Sequence, residues 1–104
     1  MFLELNDDIL QEVIEEKKNV LVQYSAGWCG NCRIMKPKFK RFSEELEDYE
    51  FIVVDAERFP KSRELANVSN LPTFAAFKAG EFKGQIQTNK AESLKQFINE
   101  VTGN

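Results

Sequence analysis

The pattern of apolar and polar positions predicts five β-strands along the chain. Residues 20–24 and 51–54 are runs of β-branched, aliphatic and aromatic side chains, which is typical of strands buried inside a sheet. Residues 2–5 alternate as a shorter strand does. Residues 73–77 and 81–86 flank a Lys-Ala-Gly turn, which predicts a tight antiparallel hairpin at one edge of the sheet.

Between these strands, apolar residues recur at the three- and four-residue spacing of helices. Asn6 is placed to cap a first helix, and Asn89 to cap the last one. A long helix is predicted from residue 29 to about residue 47, with Pro37 inside it, where proline should kink it. A short helix is predicted over residues 58–67. The order β-α-β-α-β-α-β-β-α predicts an α/β sandwich with a parallel portion.

The composition of the chain excludes several classes of function. Its 104 residues are enough for one domain, which we place at residues 1–104, and 42% of them are hydrophobic. The net charge of −3 argues against nucleic acid as a partner. The chain has no histidine, which excludes Cys-His and Ser-His nucleophile pairs and histidine-bound metals. Much of the usual repertoire of catalytic sites is therefore excluded.

No part of the sequence predicts a membrane or export signal. Residues 1–8 lack the basic and apolar regions of a signal peptide, and no segment approaches the roughly 18 apolar residues that span a bilayer. We therefore expect a cytoplasmic protein without a membrane partner, and an exported form only if a signal peptide once preceded these residues. The basic residues 36–41 are interpreted as a solvated helix face, with electrostatic steering of acidic partners as the alternative.

Two cysteines, Cys29 and Cys32, stand where a buried strand is followed by the long helix. A thiolate at a helix N-terminus faces unpaired backbone N–H groups and the positive end of the helix dipole, which lowers the pKa of the first cysteine. Cys32 lies one helical turn later on the same side, within reach of a disulfide bond, and its sulfur should be the more buried. Cys29 would attack a substrate disulfide, and Cys32 would then attack Cys29 and release the reduced substrate.

Three other interpretations of this pair stay open. A structural disulfide would gain only about 2 kcal/mol from closing so short a loop. A zinc site would need a second chain, because two sulfurs supply only half of the roughly four ligands that zinc requires. A binding module without redox activity could carry the same fold. The position of the cysteines favours thiol–disulfide exchange over all three.

The residues around the cysteines resemble the active-site segment of the thioredoxin family. Residues 21–32 read LVQYSAGWCGNC and contain the Trp-Cys-Gly-x-Cys motif. Lys36-Pro37 matches the proline inside the family's long active-site helix, and residues 70–74, NLPTF, are similar to its cis-proline loop. The resemblance covers nearly the whole chain in the same order. It implies a thioredoxin fold, a three-layer sandwich in which helices flank a central mixed β-sheet.

The resemblance also implies roles for individual residues. Cys29 is the attacking and Cys32 the resolving cysteine of a redox-active disulfide, and no cofactor is bound. Trp28 flanks the site and contacts substrate, whereas the sequence alone also allows a core tryptophan. Pro72 is expected to be cis and to present the backbone of Leu71 to a substrate strand, although trans is the common state of X–Pro bonds. The residues expected to shape the substrate site are Trp28, Gly30, Asn31, Leu71, Pro72 and Thr73.

Three positions depart from the family pattern. Gln23 replaces a buried Asp thought to accept the proton of the resolving cysteine, so we expect slower resolution unless water or another carboxylate substitutes. Asn31 stands where thioredoxins have proline and disulfide isomerases have histidine. It restores a backbone N–H near the sulfur, which should make the disulfide more oxidising than in an Asn31→Pro variant, by a shift on the order of tens of millivolts. Thr88 replaces a smaller residue and is expected to narrow the substrate groove.

The function that the resemblance implies is the reduction of protein disulfides. The expected partners are disulfide-containing proteins and a flavin-dependent reductase that uses NADPH to recycle the Cys29–Cys32 disulfide. The protein is expected to act as a monomer in electron transport and cell redox homeostasis. Two alternatives are kept: a more oxidising, isomerase-like exchange, and a thioredoxin-fold binding module that does not depend on redox activity.

Overall fold

The predicted order of strands and helices is confirmed by a computed structural model that describes residues 1–103. Asn104, the last residue of the predicted domain, lies outside the described residues. The described part of the chain forms five strands and four helices: β1 (Phe2–Glu4), α1 (Leu10–Glu16), β2 (Asn19–Ser25), α2 (Gly30–Glu45), β3 (Glu50–Asp55), α3 (Pro60–Arg63), β4 (Thr73–Lys78), β5 (Glu81–Gln87) and α4 (Ala91–Thr102).

The five strands form one mixed sheet in the order β1-β3-β2-β4-β5. β1, β3 and β2 are parallel, and β4 runs antiparallel to both β2 and β5. The turn between β4 and β5 is formed by Ala79 and Gly80, whose φ angles are +52° and +81°. A two-residue hairpin turn that matches the right-handed twist of its strands requires positive φ at both central residues. The predicted hairpin is therefore confirmed.

Alternate residues of β2 face two different helical layers. Val22 and Tyr24 pack in one core with Leu10 of α1. Leu21, on the opposite face, packs in a second core with Phe39 of α2 and with residues of α4. Because each face of the sheet is covered by a pair of helices, the molecule is the predicted three-layer sandwich. Within residues 1–103, none of the helices combines the length and the apolar character needed to cross a membrane.

The predicted cap of the first helix is wrong. α1 begins four residues after Asn6, and no side chain caps its N-cap residue. The Leu10 N–H instead donates to the Ser62 hydroxyl at 3.2 Å. Asp8, the second of the two aspartates that follow Asn6, accepts hydrogen bonds from the backbone N–H groups of Lys61 and Ser62 at 3.0 and 2.7 Å. These hydrogen bonds join residues more than 50 positions apart in the chain, so the start of α1 is set by contact with α3.

The predicted cap of the last helix is also wrong. α4 begins at Ala91 without a side-chain cap at its N-cap residue, Lys90, and Asn89 is exposed. The Lys90 N–H donates to the Thr88 hydroxyl at 3.0 Å. The hydroxyl of Thr88, two residues before the N-cap residue, therefore takes the capping role that the sequence suggested for the amide of Asn89. The short helix is also smaller than expected, with α3 spanning only Pro60–Arg63 of the predicted segment.

Candidate active site

Cys29 and Cys32 form a disulfide bond at the point where β2 leads into α2, and their Cα atoms are 5.3 Å apart. A short turn closed by the Cys29 N–H and the Ala26 carbonyl carries the chain from the strand to the helix. Cys29 is the N-cap residue of α2, and its Sγ accepts a hydrogen bond from the Cys32 N–H at 3.1 Å. The sulfur of Cys29 therefore occupies the place that a serine or aspartate oxygen usually takes at a helix start.

Both cysteines are buried, with exposed fractions of 5% for Cys29 and 2% for Cys32. They pack with Ala26, and the half-buried Leu71 contacts the same group. The direction of this difference agrees with the prediction that Cys32 is the more buried, but it is too small to separate the two roles. The positions of the two sulfurs differ more clearly, since Cys29 Sγ lies at the N-terminal end of α2.

The rim of the site is formed by residues that precede and begin α2. Trp28 is 67% exposed, which excludes the alternative of a core tryptophan. Gly30 and Asn31 occupy the first two positions of α2, and both are exposed. A Cβ at Gly30 would meet nothing within 4 Å. Glycine is therefore not required there by the protein's own packing, and this part of the rim is open to an approaching substrate.

The loop before β4 lies against the disulfide. The Leu71–Pro72 peptide bond is cis, which confirms the expectation drawn from the resemblance to the family. Pro72 and Thr73 are buried, and the Thr73 hydroxyl donates to the carbonyl of Asn70, closing the loop around the proline. Leu71 is the residue of this loop that packs against the cysteines.

Two side chains that the sequence analysis did not single out hold the segment leading to this loop. The Gln85 side chain of β5 accepts from the Asn67 N–H and donates to the Asn67 carbonyl, both at 2.8 Å. The Arg63 guanidinium donates to the Val68 carbonyl through two nitrogens, at 2.8 and 3.2 Å. The sequence gives no sign that Gln85 holds this segment, because its partner, Asn67, lies 18 residues away in the chain.

Gln23 lies fully buried between the sheet and the first turn of α2. Its Nε2 donates to the Ser25 hydroxyl at 3.0 Å and to the Cys32 carbonyl at 3.1 Å. Among the described residues, Gln23 Oε1 has no hydrogen-bond partner. The amide thus ties Cys32 to the middle strand of the sheet, although it cannot take a proton as a carboxylate can.

A cavity of about 270 Å³ opens beside the disulfide, between α2 and the carboxyl ends of β2 and β3. Both cysteines reach it, and so does the Asp55 carboxylate at the end of β3. The side chain of Asp55 accepts hydrogen bonds through Oδ1 from the N–H groups of Glu57 and Arg58, at 3.0 and 3.1 Å. The other charged residues lining the cavity are Glu4, Arg33, Lys36 and Arg58.

Thr88 precedes α4 and is 8% exposed, with its hydroxyl occupied by the Lys90 N–H. The hydroxyl therefore has a structural role at the start of the helix. The narrowing of the substrate groove by this residue stays a prediction.

The thioredoxin family model matches residues 1–100 of the chain. The chain belongs to the thioredoxin family. Thioredoxin from Oryctolagus cuniculus is 37% identical over 93 residues, which is 88% of this chain and 89% of the relative. The structure of reduced thioredoxin from Schistosoma mansoni is 32% identical, covers 95% of this chain and 96% of its own, and gives a TM-score of 0.85.

A third similar structure is a complex of ferredoxin:thioredoxin reductase and thioredoxin f2. The matched chain is 25% identical, covers 97% of this chain and 94% of its own, and has a TM-score of 0.86. Family membership and a Cys-Gly-x-Cys pair at disulfide distance make this thioredoxin-family protein a protein-disulfide oxidoreductase that works by dithiol–disulfide exchange. The family binds no cofactor and uses the disulfide itself as the redox-active group.

Proposed function

We propose that this thioredoxin-family protein reduces disulfide bonds in other proteins, with Cys29 as the attacking and Cys32 as the resolving cysteine. The observation that carries the proposal is the hydrogen bond from the Cys32 N–H to Cys29 Sγ at the start of a 16-residue helix. When the disulfide is reduced, a thiolate at Cys29 receives this hydrogen bond and the positive end of the helix dipole. A thiolate at Cys32 does not receive this hydrogen bond, because the N–H that donates it belongs to Cys32 itself, and it lies further from the helix end.

The reaction balances in two steps. The Cys29 thiolate attacks one sulfur of the substrate disulfide, a Cys29–substrate S–S bond forms, and the first substrate thiolate leaves and takes a proton from solvent. Cys32 then loses its proton and attacks Cys29 Sγ, which releases the second substrate thiolate and forms the Cys29–Cys32 disulfide. Two electrons pass from the protein dithiol to the substrate.

The shape of the rim supports proteins as substrates. Trp28 projects into solvent, Gly30 leaves open space, and Leu71, which precedes Pro72, packs against the cysteines. An extended segment of a partner chain fits an open surface of this kind, whereas a small molecule would leave most of its own surface in water. The substrate segment is proposed to lie between Trp28 and Leu71.

The protein has to be reduced again after each cycle. We propose a flavin-dependent reductase with NADPH as the electron source, a cytoplasmic location and a monomeric state, in a role in electron transport and redox homeostasis. The similarity to thioredoxin f2 in its complex with ferredoxin:thioredoxin reductase supports a dedicated reductase as a partner. It also makes ferredoxin-derived electrons the alternative, which reconstitution with either purified reductase would distinguish.

The test is the reduction of insulin disulfides driven by dithiothreitol, followed by turbidity. The wild-type protein should accelerate the reaction, and Cys29→Ser should abolish the acceleration. Serine is a good N-cap residue, so this variant removes the sulfur while keeping a cap on α2. Cys32→Ser should accumulate a mixed disulfide, visible by mass spectrometry under non-reducing conditions.

Two results would contradict the assignment. Full activity of Cys29→Ser would move the attacking role to Cys32. No acceleration by the wild-type protein would contradict general disulfide reduction and leave a narrow-specificity exchanger or the binding module. A partner complex unaffected by the double variant Cys29→Ser, Cys32→Ser would support the binding module.

Asn31 favours a second candidate, a more oxidising exchange of the isomerase type. It occupies the second position of α2 and keeps a backbone N–H that proline would lack at this position. The measurement is the equilibrium of the protein with a glutathione buffer, compared with Asn31→Pro. A more positive potential for the wild-type protein supports this candidate, and an equal or more negative one contradicts it.

A further inference from the structure

Resolution of the mixed disulfide requires the Cys32 thiol to lose its proton inside the protein. Cys32 is only 2% exposed, and only the thiolate form of a cysteine acts as a nucleophile. Gln23 is the buried polar side chain that contacts Cys32, but an amide cannot accept the proton. The proton therefore needs an acceptor elsewhere, with a polar route to it.

The register of the sheet places one carboxylate on the correct face. Ser25 of β2 is paired with Asp55 of β3, and Gln23 is paired with Val53. Paired residues and residues two apart in a strand share a face of the sheet. Since Gln23 contacts α2 at Cys32, Ser25 and Asp55 also lie on the α2 face. Asp55 comes at the end of β3, beside the cavity that Cys32 reaches.

The groups between Cys32 and Asp55 are polar and suited to passing on a proton. The Ser25 hydroxyl accepts a hydrogen bond from Gln23 Nε2, which leaves its own proton free to be donated. Ser25 lines the same cavity as Cys32 and Asp55. The cavity volume of about 270 Å³ is several times the roughly 30 Å³ that one water occupies in the liquid, and its polar lining suits bridging waters.

The other carboxylate of the cavity is already engaged. Glu4 Oε1 forms an ion pair with Lys36 Nζ at 2.8 Å. Asp55 uses Oδ1 for two backbone N–H groups, which leaves Oδ2 available to a water in the cavity. The remaining charged groups facing Asp55 around the cavity, besides Glu4 and Lys36, are Arg33 and Arg58.

We propose that Asp55 accepts the Cys32 proton during resolution, through the Ser25 hydroxyl and water in the cavity. The S–H bond of Cys32 breaks, the proton moves to the Asp55 carboxylate, and the resulting thiolate attacks Cys29 Sγ and expels the substrate thiolate. Asp55 returns the proton to solvent after the step. This inference rests on the proposed function, because it concerns only the second step of that exchange.

Asp55→Asn tests the role with little change to the loop, since an asparagine Oδ1 still accepts both backbone hydrogen bonds. Reduced protein is mixed with dithiobis(nitrobenzoate) in a stopped-flow instrument. One coloured thiolate is released when Cys29 attacks, and a second when Cys32 resolves. We expect the first phase to be unchanged and the second to slow about tenfold at neutral pH. Positioned bases contribute about 10²–10⁴-fold, and cavity water partly replaces this one.

The pH profile separates a proton acceptor from a purely structural residue. With Asp55 as acceptor, the wild-type resolution rate should depend little on pH between about pH 6 and pH 8, because a fixed base inside the protein takes the proton in place of base from the solvent. In Asp55→Asn the rate should rise with pH, by up to about tenfold for each pH unit, because most of the reacting thiolate must then be formed by base from the solvent. Glu57→Gln, which removes a neighbouring charge outside the cavity, is the matched control and should behave as wild type.

Three results would overturn the assignment. A second phase in Asp55→Asn with the wild-type rate and pH profile would exclude Asp55. Slowing in Glu4→Gln but not in Asp55→Asn would make Glu4 the acceptor. A solvent deuterium isotope effect near 1 on wild-type resolution would show that proton transfer does not limit the step, whatever the variants do. Loss of both phases in the wild-type protein would instead contradict the proposed function.

Discussion

The environment of Gln23 predicts a stability difference that depends on pH. Gln23→Asp places a carboxyl group, and Gln23→Asn an amide of the same size, at a position that is fully buried. The pair therefore isolates the charge from the loss of one methylene group. Burial raises the pKa of a buried Asp by up to about 3–5, and we take about 3 because the Ser25 hydroxyl can donate to the new carboxylate.

The magnitude follows from that rise in the pKa. At about 1.36 kcal/mol for each pH unit, the aspartate variant should be about 4 kcal/mol less stable than the asparagine variant near pH 8. The folded pKa is raised above the unfolded value of about 3.9, so the unfolded state loses its proton first as the pH rises. The penalty is therefore absent near pH 3.5, grows between about pH 4 and pH 7, and is constant above that range.

The assay is urea unfolding of the oxidised proteins, followed by circular dichroism at several pH values between about 3.5 and 8. The asparagine variant should follow the pH dependence of the wild-type protein. An equal gap between the two variants at both ends of this range would refute the reasoning. It would mean that water from the adjacent cavity solvates the side chain at position 23 fully, so that ionising a carboxyl group there costs no more free energy than in the unfolded chain.

Other parts of the structure give three further predictions. Ser62→Ala removes the acceptor of the buried Leu10 N–H and should lower the free energy of unfolding by about 2–3 kcal/mol in urea; an unchanged midpoint would contradict this. Burial acts to raise the pKa of Asp8, but hydrogen bonds from Ser62 and nearby backbone outweigh it and hold the pKa below its usual value. This stabilisation is present above the unfolded pKa and is lost as the pH falls through the folded pKa. In an acid titration followed by unfolding, Asp8→Asn should therefore lose less free energy of unfolding than the wild-type protein as the pH falls. Gln85→Ala frees the backbone of Asn67 before the cis-proline loop and should raise the KM for protein disulfides several-fold with a smaller effect on kcat. An unchanged KM would show that the loop keeps its position without this contact.

The sequence was sufficient where structure is determined by local pattern. The buried runs 20–24 and 51–54 became the central strands β2 and β3, and the turn at Ala79 and Gly80 became the hairpin. The position of the cysteine pair between strand and helix also followed from the pattern. The cis peptide at Pro72 came from the resemblance to the family, since nothing in the local sequence favours cis.

The sequence was insufficient where a polar group finds its partner far along the chain. Asn6 satisfies the local rule for a helix cap, but Asp8 and Leu10 meet Ser62 of α3 instead. Gln23 was recognised as a departure from the family, yet its bond to the Cys32 carbonyl depends on how α2 packs over the sheet. Asp55 gave no signal at all, because only the register of β2 and β3 brings it to the cavity.

The sulfur of Cys29 accepts a hydrogen bond from the Cys32 N–H. The redox state of the cysteine pair and the stability of the first turn of α2 are therefore thermodynamically linked. A charged thiolate is a stronger acceptor than a disulfide sulfur, and the helix start is therefore held more firmly in the reduced protein. By reciprocity, a partner that loosens this turn on docking makes the reduced form less favourable. Each loss of about 1.4 kcal/mol there lowers the potential by about 30 mV. A docked substrate that disturbs this turn would therefore make the protein a stronger reductant toward that substrate only.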